Sequence, residues 1–223
     1  MRFSLPVVLA AALVAASGCS DGRTGARAPA APPGSQIYMK DGVETVLTPD
    51  LLMRDGKVFL ENGAWTNLSS VVEKLEPSRI EYLNLDRNAF TNVDCLAAFT
   101  SLKWLRLNGN RLETLPDLRK ARNMKRIYLA GNRFKEVPRG IEDLKKLTDI
   151  DLSGNPISSI PEWLATRHGF EHLSFNGTRI KKLPDDLRPW RSLKSLQLGD
   201  IEAMDEAELR RVRAELPGTA VVF

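Results

Sequence analysis

Between Ile80 and Ala203 the apolar residues return every 22 or 23 positions, in segments that begin at Ile80, Leu102, Met124, Leu147, Phe170 and Leu193. Within each segment they fall at the first, fourth, sixth and eleventh places. In the second segment these are Leu102, Leu105, Leu107 and Leu112. The first half of each unit alternates with period two, which predicts a short strand with one buried face. A single unit of this kind cannot bury its apolar side alone. Stacked neighbours build a continuous core, and about three or more repeats are needed, so six units predict a solenoid.

The polar places are as regular. Position nine is Asn88, Asn110, Asn132 and Asn155, then Thr178, then Ile201. Where each strand ends the chain turns inward and leaves buried backbone groups without ladder partners. A buried amide offers two donors and an acceptor to satisfy them. Gly109, Gly131, Gly154 and Gly177 stand just before this place, as a tight bend requires. The second halves carry Leu115-Pro116, Val137-Pro138, Ile160-Pro161 and Leu183-Pro184. Proline suits the first position of a short helical turn, so the segments that follow are expected to run along the outer side.

Through LxxLxLxxNxL followed by LP, the chain resembles the leucine-rich repeat proteins. In unit length it is similar to the class of about 23 residues shared by Ras-suppressor-like and many bacterial members. The resemblance covers Ile80 to roughly Ala203. It implies an α/β fold, a right-handed horseshoe solenoid with a parallel sheet on the concave face. Short helical and 3-10 segments line the convex face, and a cap closes each end. For function it implies little, since one fold hosts many activities.

The ends read differently. MRFSLPVVLAAALVAASGCS has one early positive charge, an apolar stretch too short for a membrane span, and then small residues, which is the pattern of a secretory signal peptide over residues 1–18. Ala16-Ser17-Gly18-Cys19 resembles a bacterial lipobox with alanine in place of the usual leucine. That resemblance implies a lipidated Cys19 anchored to a membrane, with soluble export after ordinary cleavage as the alternative. Ser20 rather than aspartate after the cysteine implies sorting to the outer membrane of a bacterial envelope. Residues 19–36 are rich in Ala, Pro and Gly and are expected to form a disordered tether. Residues 37–79 lack the repeat but keep short apolar runs between Asp41-Gly42, Asp55-Gly56 and Asn62-Gly63. We read them as an N-terminal cap with a hairpin and a helix near Leu68 to Leu75. Residues 204–223 read as a C-terminal cap. Asp205 to Glu208 form a capping box before the helix EAELRRVRAEL, and TAVVF supplies an edge strand. This tail resembles the closing segment of many bacterial leucine-rich repeat proteins, which implies that no catalytic domain follows.

Composition adds exclusions. A formal net charge of +4 is too mild to argue for nucleic acid. Of two cysteines one is Cys19, so Cys95 is expected to be a free thiol, buried as a small hydrophobe on the convex side. His168 and His172 have a spacing that suits a metal on a helix, but Gly169-Phe170 marks a boundary between them, and no third ligand is evident. No phosphate loop, serine elbow or zinc cluster occurs, so neither a cofactor nor a metal site is expected. Asn67 and Asn176 head glycosylation sequons, which in a bacterial lipoprotein carry no weight.

The variable places hold the functional signal. Positions three and five project from the inner, concave face of the sheet. Down the stack they read Tyr82, Trp104, Arg126, Asp149, His172, Ser195 and Asn84, Arg106, Tyr128, Asp151, Ser174, Gln197. Tyr82, Trp104, Arg106, Arg126 and Tyr128 therefore cluster, with Asp149, Asp151 and His172 beside them. Such aromatic and arginine residues dominate binding hot spots. Two readings of the cluster stay open: a concave face for a protein partner, or internal packing of Trp104 on the cap and the arginines. Asp149 and Asp151 are expected to be solvated, setting orientation or neutralising the arginines. Arg111, Arg133 and Arg179, with lysines nearby, form a second, basic row that suits a solvated edge or an anionic envelope surface. The reading that follows is a non-enzymatic, lipid-anchored protein-binding module. An adhesive protein that binds glycan or peptidoglycan is the alternative. A metal-assisted hydrolase using Asp149, Asp151 and His172 is the third.

Overall fold

The alternation of each unit is realised as three-residue strands whose middle residue faces the core. The computed structural model describes residues 36–40, 43–47, 56–72, 75–201 and 204–223. The expected leader, Cys19 and all but the last residue of the expected tether lie outside the described residues. An antiparallel hairpin, β1 (Gln36–Lys40) and β2 (Val43–Leu47), forms a sheet of its own. The main sheet comprises eight parallel strands that pair with their neighbours in order. They are β3 (Lys57–Phe59), β4 (Tyr82–Asn84), β5 (Trp104–Arg106), β6 (Arg126–Tyr128), β7 (Asp149–Asp151), β8 (His172–Ser174), β9 (Ser195–Gln197) and β10 (Ala220–Val222). The sheet is open, and the whole is an α/β leucine-rich repeat solenoid.

Two of the eight strands lie outside the six periodic units. The tail strand is the one expected from TAVVF. The other, β3, comes from the segment read as cap: Val58 pairs with Leu83 in the same register that Leu83 keeps with Leu105. The core column Val58, Leu83, Leu105, Ile127, Ile150, Leu173 and Leu196 is buried throughout. Each such side chain stabilises the fold by about 1.5–3 kcal/mol relative to exposure. Trp190 is the largest fully buried residue, and its indole N–H donates to the carbonyl of Leu164 at 3.0 Å.

The asparagine ladder stitches the rungs together. The Asn110 amide donates to Leu85 O at 2.9 Å and Leu107 O at 3.0 Å, and its oxygen accepts from Phe90 N–H at 3.1 Å. Asn132 and Asn155 repeat the pattern one and two rungs on. At Asn88 the oxygen instead takes the N–H groups of Gly63 and Trp65. The ladder fails at Thr178, whose buried hydroxyl has no hydrogen-bond partner among the described residues. The preceding glycines all hold φ near +64°, while Arg87 and Asp200 adopt +55° at the same place in the first and last units.

The convex side carries short turns: 3-10 segments at Pro77–Arg79, Asp94–Ala98, Arg139–Ile141 and Arg188–Trp190. The cap contributes a short α1 (Ser69–Val72), and a second α-helical turn is α2 (Glu162–Ala165). Pro138 and Pro161 sit one place earlier than expected, as extended N-cap residues rather than first helical residues. Their fixed φ suits both places. Helix α3 (Glu206–Glu215) is capped by Asp205, which accepts from the Glu208 N–H at 2.8 Å. The reciprocal half of the expected box is missing, because Glu208 is engaged elsewhere. Its carboxylate accepts from Leu183 N–H at 2.8 Å and pairs with Arg211 at 2.7 Å, tying the helix to the last complete repeat.

The candidate binding face

Parallel pairing in register brings the variable residues of successive units side by side. Tyr82, Trp104, Arg126, Asp149, His172 and Ser195 form one column and Asn84, Arg106, Tyr128, Asp151, Ser174 and Gln197 the other. Strand β3 adds Lys57 and Phe59 at the head of the columns. Phe59 is 54% exposed, a large apolar side chain on the open face. Recognition of this residue from the sequence fails because its unit lacks the marker asparagine: Gly63 stands there instead.

With Phe59 included, the aromatic residues form a continuous ladder over four rungs. Ring centroids are 5.1 Å apart for Phe59–Tyr82, 4.9 Å for Tyr82–Trp104 and 6.0 Å for Trp104–Tyr128. The Tyr82–Trp104 pair is edge-to-face, as the ring quadrupoles favour. Arg126 lies over the Trp104 ring at 4.9 Å and Arg106 over Tyr128 at 5.4 Å. The internal cation–π contacts therefore exist, while Tyr82, Trp104, Arg106 and Tyr128 stay half-buried and Arg126 exposed. The Trp104 indole nitrogen is itself covered and has no hydrogen-bond partner among the described residues.

Two carboxylates brace the arginines. Asp86 is buried, binds the Arg106 guanidinium through Nε at 2.7 Å and Nη2 at 2.6 Å, and accepts from Asn108 N–H at 2.8 Å. Burial disfavours the Arg106 charge, but the hydrogen bond and charge of Asp86 outweigh it and hold its pKa above the ordinary value. Burial raises the Tyr82 phenol, and burial together with the Asp149 charge raises Tyr128. Asp149 corrects the expectation of a solvated carboxylate. It is only 7% exposed, accepts from the Thr148 hydroxyl at 2.5 Å and faces Arg126 Nε at 3.6 Å. Its column neighbours close over it. Asp86, which the sequence reading passes over, belongs to a further column at position seven. There Asn108 accepts from Ala130 N–H at 2.8 Å and Asn176 from Gly199 N–H at 2.7 Å. Short polar residues two places after the strand in four of the six units, Asp86, Asn108, Ser153 and Asn176, are the signal that marks it.

Beyond β7 the face changes character. Asp151 Oδ1 accepts from the N–H of Ser153 at 3.0 Å and its hydroxyl at 2.6 Å. Ser153 and Ser174 hydroxyls are 2.7 Å apart, and Gln197 Oε1 accepts from Ser174 and from Asn176. Between this chain and Tyr128 lies an open hollow of about 400 Å³, with Arg126, Asp149 and His172 also on its wall. His172 is exposed, and so is His168, which lies before the boundary glycine Gly169 (φ +89°). Among the described residues no three His, Cys, Asp or Glu side chains are grouped to hold a metal. Cys95 is half-buried, and burial pushes its thiol pKa up. Arg111, Arg133 and Arg179 are all exposed and share no ion pair with a described acid. No described helix is long and apolar enough to cross a membrane.

A stack of parallel strands, one per unit, stitched by buried asparagines, defines a class of repeat solenoids. The chain is a leucine-rich repeat protein. A Leucine Rich Repeat family model matches residues 146–166. The chain is 35% identical over 111 residues to Leucine-rich repeats and immunoglobulin-like domains protein 3 of Homo sapiens, a match covering 48% of this chain and 10% of that protein. It is 32% identical over 152 residues to the probable serine/threonine-protein kinase pats1 of Dictyostelium discoideum, covering 61% of this chain and 4% of that one. The chain thus spans a tenth or less of the length of these two relatives. An internalin from Listeria monocytogenes shares the fold, with a TM-score of 0.58, 20% identity, and coverage of 79% of this chain and 49% of the other.

Proposed function

We propose that this protein is a non-enzymatic binding module that presents the aromatic and arginine ladder on its open sheet face to a protein partner. The observation that carries the reading is the unbroken run from Phe59 to Tyr128 with two guanidiniums laid across it. Residues of these types combine large contact area with directed polar groups. The scaffold does not need them: the core column behind the same strands is complete. Anchoring belongs to the same proposal and rests on the sequence Ala16 to Cys19. Acylation there would hold the module at the bacterial envelope, on the outer membrane, with residues 19–36 as spacer.

The test is affinity capture from detergent-solubilised native cells by the intact chain and by a Trp104→Ala, Arg126→Ala double variant. A partner recovered in stoichiometric amount by the intact chain and lost with the double variant supports the reading. Equal recovery by both removes the ladder from the interface. Membrane fractionation of Cys19→Ser checks the anchor: the variant is expected in the soluble fraction.

A further inference from the structure

Four carboxylates face the ladder or its flank, and two of them have no ion pair with a described residue. Asp86 is held by Arg106 and by the Asn108 N–H. Asp149 takes the Thr148 hydroxyl and faces Arg126. Glu61, near Tyr82 at the head of the ladder, has a buried Oε2 without a described partner and lies off the wall of the hollow. Asp151 has its Oδ1 fixed by two donors from Ser153, and no described donor reaches Oδ2. The two arginines of the face are thus already matched, and Asp151 is the charge left over beside the hollow.

Its surroundings favour a cation. Asp151 lines the open hollow of about 400 Å³ together with Tyr128, Ser174, Ser195 and Gln197. Tyr128 supplies an aromatic wall to a cation, worth more as water is excluded. Beyond Arg126, which Asp149 and the Trp104 ring already engage, only the exposed His172 imidazole brings a titratable base to this rim. Glu171, next to it, is matched by Lys194 at 2.7 Å.

Resting on the proposed protein-binding role of the face, we infer that the hollow takes a basic side chain, Arg or Lys, from an extended segment of the partner, with Asp151 as its counter-ion. The ladder and the hollow then read one segment together. Trp104 on β5 and Asp151 on β7 are two rungs apart and offset by two residues along the strand, about 12 Å at the usual strand spacing and rise. An extended chain advances about 3.3 Å per residue, so the basic residue stands about three to four places from the residue that seats on Trp104. The charge supplies selectivity more than affinity: an acidic residue at that place meets Asp151 and Asp149.

The test uses two synthetic probes, Ac-Trp-Ala-Pro-Arg-Ala-NH2 and the same peptide with norleucine for arginine, titrated against the full chain in detergent. The arginine peptide is expected to bind at least about tenfold more tightly, a preference that shrinks with added salt. Asp151→Asn should bring the two peptides within about twofold, as an ion pair removed on one side predicts. Ser174→Lys, which puts an internal cation beside Asp151, should do the same and guards against a folding defect in the first variant. Trp104→Ala should weaken both peptides and keep their ratio. Equal binding of the two peptides to the unaltered chain, a preference that survives Asp151→Asn, or no binding of either peptide overturns the inference. Those outcomes leave the ladder standing if Trp104→Ala, Arg126→Ala still loses the captured partner; equal capture by that variant sinks the ladder itself.

Discussion

Two ladders climb this solenoid a few residues apart, one of asparagines inside and one of aromatic residues outside. Inside, the amides of Asn110, Asn132 and Asn155 meet equivalent carbonyls and one N–H each, so the side chain is dictated by the backbone turn it serves. Outside, the ring contacts range from edge-to-face to tilted and mix positions three and five, so no backbone requirement selects them. The difference separates what builds the molecule from what it offers. Removing a member of the first should damage the fold, and removing a member of the second should damage recognition.

The largest effect expected from that contrast is on stability. Asn110→Ala leaves Phe90 N–H without its buried acceptor and takes one of two amide donors from each of Leu85 O and Leu107 O. One orphaned group at about 1–3 kcal/mol and two lost hydrogen bonds at about 0.5–1.5 kcal/mol each lower the unfolding free energy by about 3 kcal/mol. Urea unfolding measures it, and a loss no greater than that of Trp104→Ala would break the comparison. Trp104→Ala is expected to cost about 1 kcal/mol in the same experiment but about 30-fold in affinity for the captured partner, near 2 kcal/mol. A sharper probe restores a missing rung. Thr178→Asn places an amide within the buried site whose hydroxyl is unpaired, with Leu152 O and Phe175 O as the equivalent acceptors. It should raise the unfolding free energy by about 1 kcal/mol, the worth of one net hydrogen bond.

The smallest expected effect concerns pH at the far end. The hydrogen bond from Arg211, aided by the Leu183 N–H and against the raising effect of burial, holds Glu208 below its ordinary value of 4.5. A carboxylate depressed on folding contributes stability that is fully present above its unfolded value. That contribution fades as the pH falls through the folded value. The protection of α3 against hydrogen exchange, taken relative to the intrinsic amide rate at each pH, should therefore fall as the medium is taken from about pH 5 to pH 3, and Glu208→Gln should flatten the response. An unchanged pH response in that variant would show that Glu208 does not tie the helix to its repeat.

Most of the architecture is legible because the units repeat it. Leu102, Leu105, Leu107 and Leu112 are buried as their spacing demands, and the asparagines make the bonds expected of them. What escaped lies where a unit departs from pattern or where two units meet. Phe59 is hidden because its rung carries Gly63 in place of asparagine and lies 25 residues before the next, counted from Val58 to Leu83. Asp149 has the sequence signature of an exposed position, yet Thr148 and the Arg126 of the neighbouring strand cover it. That is information about pairs of units, and a periodic pattern records only single ones. Asp86 is illegible for the same reason: its role is defined by Arg106 and Asn108 one rung on.

Strand β10, drawn from the tail beyond α3, also bears on how such a chain can lengthen by duplication. It pairs with β9 through Ala220↔Ser195 and is the last strand of the sheet, while an atypical rung, β3, is the first. A copied unit added before β3 would meet a rung with Gly63 in place of the asparagine, and one added after β10 would follow a unit with Ile201 there. Inserted between two interior units, the same copy finds a ready carbonyl and a ready N–H on the unit before it and an asparagine on the unit after it. Growth by duplication is therefore favoured from the middle, and each insertion there also adds one more pair of variable positions to the open face.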